Sequence, residues 1–224
     1  MSSLSPDLII FDFDGVLCAS ETFTVDAIRD GLRGFAELVG VPVEQPSDAV
    51  LLNTLGYSSH DSYPPLLPAA VRDRWREMHR LTLDAMVRRV REMGRWGCLY
   101  PEIPALLDDL RADGRRLALA SNCSTRYWEV HREVHELDRW FSQQWHLQSS
   151  GISHKGQMVE RILAADPPQR GAVLVGDRAS DAAAARNNGL PLIASAYGFG
   201  SPEEWPDAAQ VVADRAELRR ALGL

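Results

Sequence analysis

The chain has 224 residues, 45% hydrophobic and 25% charged, with a formal net charge of −7 at pH 7. Those values exclude a mainly disordered, collagenous or fibrous protein, and the acidic balance argues against a nucleic-acid partner, since backbone affinity comes from clustered positive charge. No apolar run approaches the roughly 20 residues needed to cross a bilayer, and the start Met1-Ser2-Ser3-Leu4-Ser5 lacks a basic stretch followed by an apolar one, so a cytoplasmic protein without a membrane partner is expected.

In chain order, the first expected strand is Leu8-Ile9-Ile10-Phe11, an unbroken apolar run of the kind buried on both faces of a parallel sheet. From about Val16 to Arg95 the pattern is helical, with periodicity at Glu21 to Val39, Ser47 to Leu55 and Ala69 to Met93; Gly56 to Pro68, with one Gly and three Pro, is read as a loop. After residue 95, helical patterns at Ile103–Ala112, Thr125–Leu137, Gly156–Ala165 and Ser180–Asn188 alternate with runs at Leu117–Ala120, Ala172–Val175, Leu190–Ala194 and Gln210–Ala213. Such alternation gives an α/β fold, a doubly wound parallel sheet with a small inserted helical domain. The expected division is a core of residues 1–15 and 96–224 and a helical cap of 16–95.

Three of the strand runs end in polar groups that packing does not ask for: Asp12 and Asp14, Ser121 and Asn122, and Asp177. Parallel neighbours bring these to one edge, where ligands of doubly wound sheets sit. Carboxylates gathered there repel, and a hard divalent cation with oxygen ligands relieves the repulsion.

The stretches Asp12-Phe13-Asp14-Gly15-Val16-Leu17, Ser121-Asn122, Lys155 and Gly176-Asp177-Arg178-Ala179-Ser180-Asp181 resemble, in order and spacing, the four motifs of the haloacid dehalogenase-like superfamily. The likeness points to its phosphoglycolate phosphatase-like and beta-phosphoglucomutase-like branch. Of 24 basic residues only Lys155 is a lysine, and it falls where the family uses a compact ammonium. The resemblance implies a Rossmann-like core with a helical cap and a Mg2+-dependent phosphatase acting on a small-metabolite phosphomonoester through an aspartyl-phosphate. Asp12 is then the nucleophile and Asp14 the general acid and base. Ser121, Asn122 and Lys155 bind phosphate, and Asp12, Asp14 (through its carbonyl) and Asp177 hold the metal, with Asp181 behind them. The likeness also implies a substrate-reading loop, placed at Gly56, Tyr57 and Ser58. Arg178 departs from the small polar residue common there and is read as pointing to solvent.

Asp14 argues against a dehalogenase, whose leaving halide needs no proton. The absence of an insert lysine argues against a phosphonoacetaldehyde hydrolase. A sugar-phosphate mutase using the same aspartates is the second reading, and a non-catalytic binding protein a distant third. Which phosphomonoester is used, and whether the protein is a monomer or homodimer, stay open. Cys18, Cys98 and Cys123 lack a Cys-x-x-Cys spacing and suggest neither disulfides nor a zinc cluster. His131 and His135 are read as a solvated helix face.

Overall fold

The computed structural model describes residues 6–224; the N-terminal stretch read for a leader lies outside them. Six parallel strands run β3-β2-β1-β4-β5-β6: β1 (Leu8–Phe11), β2 (Arg116–Ser121), β3 (Phe141–His146), β4 (Ala172–Gly176), β5 (Leu192–Ser195) and β6 (Gln210–Val212). The helices are α1 (Glu21–Val39), α2 (Asp48–Leu52), α3 (Ser59–Ser62), α4 (Trp75–Met93), α5 (Ile103–Ala112), α6 (Thr125–His135), α7 (Lys155–Ala165), α8 (Ala179–Asn187) and α9 (Arg215–Ala221), joined in places by short 3-10 turns.

Alternation along β1 divides the interior into two layers. Ile9 and Phe11 belong to a cluster with residues of α1, α4, α5, α6 and α9; Leu8 and Ile10 belong to another with Met158, Val159 and Ile162 of α7 and Ala182, Ala184 and Ala185 of α8. Every residue of β1 is fully buried, as its unbroken apolar sequence requires. Phe11 is level with Leu119 on one side and Val175 on the other, so the residues following β1, β2 and β4 emerge at one sheet edge.

The helical stretch enters after β1 and returns before α5. Its frame is α1 packed against α4. At their crossing Gly31 meets Thr82 so closely that a Cβ would stand 1.9 Å from Thr82 Oγ1, which only glycine permits. Where a loop was expected over 56–68, the chain makes the short helix α3 and a 3-10 turn at Pro64–Leu66; Ser58 caps α3 by accepting the Asp61 amide, and Pro at a first helical position needs no amide donor. The 69–93 periodicity splits into a 3-10 segment, Ala69–Arg74, followed by α4. Strand β3 was not expected: Phe141-Ser142-Gln143-Gln144-Trp145-His146 is an edge strand that keeps only Phe141 buried, so it carries no apolar run.

Candidate active site

The loop leaving β1 sets Asp12 under the sheet edge, its amide donating to Val175 O at 2.9 Å. Asp12 is 2% exposed. Its Oδ1 accepts the Phe13 amide at 2.7 Å and stands 2.9 Å from Lys155 Nζ. Lys155, the first residue of α7, also reaches Asp181 Oδ1 at 2.6 Å, bridging two carboxylates. Asp181 Oδ2 accepts the amides of Asp177 and Arg178 at 3.2 and 2.9 Å, pinning the turn between β4 and α8.

Carboxylate oxygens of Asp12, Asp177 and Asp181 lie within 4.8 Å of one another, all buried. The Asp14 side chain is outside that group: its Oδ1 accepts the Tyr127 hydroxyl at 2.7 Å. Burial pushes the Asp12 carboxyl well above its ordinary range, with the charge of Asp181 adding to it and Lys155 opposing. Burial, followed by the charge of Asp181, raises Asp177 to about 7. Against the cost of burial, the charges of Asp12 and Asp181 hold the Lys155 ammonium above its usual range. Burial also raises Asp14, although the Tyr127 hydroxyl works the other way.

Asp177 offers a direct test of metal fit. Its Oδ2 accepts the Phe199 amide at 2.6 Å, while its Oδ1 is buried without a protein partner. A Cβ at Gly15 or Gly198 would stand 2.6 or 2.4 Å from Asp177 Oδ2, so both glycines leave room for this carboxylate. An orphaned, buried oxygen beside two further carboxylates and a single ammonium is a donor set for a hard divalent cation.

Ser121 is buried at the end of β2, its Oγ accepting the Cys123 amide at 3.4 Å. The Asn122 amide group donates to Ser180 Oγ at 3.2 Å and to Gly56 O at 3.4 Å, tying the core to the helical stretch. A cavity of about 40 Å³ is lined by Asp12, Asp14, Gly56, Tyr57, Ser121, Asn122 and Cys123. A second, of about 90 Å³, is lined by Asp14, Asn122, Gly56 and Tyr57 together with apolar Ile28, Leu83 and Met86.

Of the loop read as substrate-facing, Gly56 and Tyr57 line these cavities, and Ser58 does not: its hydroxyl donates to Asp61 Oδ2 at 2.6 Å. Arg178 does not point to solvent. Its side chain is 1% exposed and its Nη1 donates to Phe199 O at 3.1 Å. His131 and His135 are fully buried rather than solvated. Sequence reasoning missed Tyr127, the Phe199 amide and Trp205, whose indole N–H donates to Asp177 O at 2.7 Å. The Gly-Phe-Gly of 198–200 held a usable signal for the last two, because a Cβ at Gly200 would come 1.7 Å from Asp177 O.

The chain is similar to known proteins over nearly its whole length. The tyrosine-protein kinase PtkA of Mycobacterium tuberculosis (strain ATCC 25618 / H37Rv) is 26% identical over 234 residues, 98% of this chain and 74% of that protein. A 5'-nucleotidase of Pseudomonas aeruginosa is 26% identical over 225 residues, 96% of this chain and 94% of that protein. A crystal structure described as a predicted phosphoglycolate phosphatase from Haemophilus somnus 129pt superposes with a TM-score of 0.77 at 20% identity, covering 96% of each chain, a likeness of fold. A model of the haloacid dehalogenase-like hydrolase family matches residues 6–189. That match runs from before the strand that delivers Asp12 to beyond the helix that carries Asp181, and the chain belongs to the haloacid dehalogenase-like hydrolases.

Proposed function

We propose that the protein is a Mg2+-dependent phosphatase that hydrolyses small-metabolite phosphomonoesters through an aspartyl-phosphate on Asp12. The observation that carries this reading is the position of Asp12, between the only lysine of the chain and a cavity it shares with Asp14, Ser121 and Asn122.

Asp12 Oδ1 is engaged by Lys155 and the Phe13 amide, which leaves Oδ2 as the attacking oxygen. Attack on phosphorus breaks the ester P–O bond, and the departing alkoxide takes a proton from Asp14. Burial favours the protonated carboxyl at Asp14 that this step requires. Asp14 then accepts a proton from the water that attacks the phosphorylated Asp12, returning the nucleophile and releasing phosphate. Ser121 Oγ and the Asn122 backbone amide, just ahead of α6, are the donors to phosphate oxygens. Lys155 supplies the fixed positive charge. Asp12, the Asp14 carbonyl and Asp177 are the residues that would hold Mg2+. When bound, the cation keeps Asp12 and Asp177 ionised and neutralises charge between nucleophile and phosphate.

The helical stretch 16–95 acts as the cap over this site, and its apolar wall of Ile28, Leu83 and Met86 selects the alcohol part of the ester. Cavities of about 90 and 40 Å³ suit metabolites rather than proteins or nucleic acids.

The test is phosphate release from a panel of small phosphomonoesters, with Mg2+ and with chelator, by the native protein and Asp12→Asn. Metal-dependent release lost in the variant supports the phosphatase. Accumulation of phosphoenzyme with no release from any ester would replace it by the mutase.

A further inference from the structure

A second set of ligand-type side chains converges where the helical stretch joins the sheet. Cys18 lies on the outgoing crossing and Cys98 on the returning one; an antiparallel bridge between Cys18 and Leu99 brings the two strands of chain together. Helix α6 brings His131 and His135, one turn apart, to the same point. All four residues are buried, none more than 1% exposed. A sulfur of Cys18, a sulfur of Cys98 and a ring nitrogen of His131 lie within 4.8 Å of one another.

The distances within the group are informative. Cys98 Sγ is 3.8 Å from His131 Nδ1 and 2.9 Å from His135 Nε2, and the two histidine nitrogens are 3.1 Å apart. Donors on a tetrahedral zinc ion, with bonds of about 2.3 Å to sulfur and 2.0 Å to nitrogen, stand roughly 3.3–3.8 Å apart, a spacing that Cys98 and His131 meet and that the shorter contacts of His135 do not. The Trp96 amide donates to His135 Nδ1 at 3.1 Å. That assignment places the His135 proton on Nε2, facing the Cys98 sulfur.

We propose that Cys18, Cys98 and His131 form a zinc site, separate from the carboxylate centre, which staples the two crossings between the sheet and the helical stretch to α6. His135 is a positioning residue: its Nε2–H donates to the Cys98 sulfur, and it borders the fourth coordination position. The metal class follows from the donors. Two thiolates and an imidazole prefer a borderline-soft ion such as Zn2+ over the hard Mg2+ suited to carboxylates.

Charge agrees with this set. The hydrogen bond from Cys18 lowers the Cys98 thiol to about 3, against burial and with help from His131 and His135. Burial, with Cys98 beside it, raises Cys18. Two thiolates and a dication leave the buried site neutral. His131 also packs edge-on against Phe13, ring centroids 4.8 Å apart, so the staple lies directly behind the loop that carries Asp12 and Asp14.

The test is Co2+ titration of the whole protein after removal of metal by chelator. About one equivalent is expected to produce a thiolate-to-cobalt charge-transfer band in the near ultraviolet, together with visible bands of tetrahedral coordination, both abolished by added Zn2+. Oxygen ligands give no such charge transfer, so Asp12→Asn keeps the band, as does Cys123→Ser. Cys18→Ser or Cys98→Ser loses it. If those variants fail to fold, the native spectrum decides alone. No charge-transfer band at any excess of Co2+, or a Cys18–Cys98 disulfide in protein isolated with zinc present, overturns the proposal.

Discussion

Arg178 and Tyr57 stack across the boundary between the sheet and the helical stretch, the guanidinium carbon 3.9 Å from the ring centroid. Beyond its bond to Phe199 O, the buried guanidinium has Nε 3.2 Å from Glu204 Oε2, an ion-pair distance without hydrogen-bond alignment. Gly56 leaves room for the arginine, since a Cβ there would meet Arg178 Cγ at 2.8 Å. A cation one residue beyond Asp177 thus fastens the loop that lines the cavity over Asp12.

Tyr57→Leu is therefore expected to raise KM for the best ester of a substrate panel about fivefold, from loss of about 1 kcal/mol of cation–π attraction. The value is taken below the desolvated limit because Tyr57 is 46% exposed. Tyr57→Phe keeps the ring and should behave as the native protein. Steady-state kinetics decide it: a fall in kcat with unchanged KM would mean that Tyr57 acts on the chemistry rather than on seating the loop.

Lys155 lies between Asp12 and Asp181 with its side chain 1% exposed. Lys155→Met leaves two buried carboxylates without their cation, a loss of about 3–5 kcal/mol. For a chain of this size that lowers the thermal midpoint by roughly 10 °C. Adding Asp181→Asn removes one of the stranded charges and should recover part of the loss. Thermal unfolding of the two variants beside the native protein checks this; no recovery would trace the loss to packing instead.

The Tyr127 hydroxyl donates to Asp14 and favours its ionised form. Deleting that donor with Tyr127→Phe raises the Asp14 pKa further. A general acid must be protonated to act, so activity fails as pH rises through its pKa. The alkaline limb of kcat/KM should accordingly move to higher pH in the variant. A pH profile of both proteins measures the shift, and movement to lower pH would remove Asp14 from the role of acid.

Much of this site was legible because the chemistry sits at the ends of strong signals. Asp12, Ser121 and Asp177 each end or follow a buried apolar strand, and α1 runs over the Glu21–Val39 span that its periodicity marks, closed by Gly40 in the left-handed conformation. Periodicity tells which residues share a helix face but not what that face meets. His131 and His135 therefore looked solvated, although the two chain crossings cover them. Arg178 was misread for a related reason: nothing local in sequence announces that Tyr57, Phe199 and Glu204 will enclose it. The edge strand β3 was lost because its polar residues lack a second layer to cover them.

The Tyr197-Gly198-Phe199-Gly200 turn shapes Asp177. The Phe199 amide holds Asp177 Oδ2, and a methyl group at Gly198 would lie 2.4 Å from that same oxygen. Gly198→Ala must therefore displace the carboxylate, and displaced metal ligands typically cost 10–100-fold in affinity, roughly the scale seen when their supporting contacts are removed. The Mg2+ concentration for half-maximal activity should rise by about tenfold or more, with circular dichroism unchanged. Gly34→Ala is the matched control. Gly34 lies inside α1 and its Cβ would make an ordinary 3.5 Å contact with Leu81 of α4, so the change should leave the Mg2+ requirement alone and stabilise the helix by up to about 1 kcal/mol. An equal Mg2+ requirement in the two variants would mean that the 198–200 turn supports the fold without setting the geometry of Asp177.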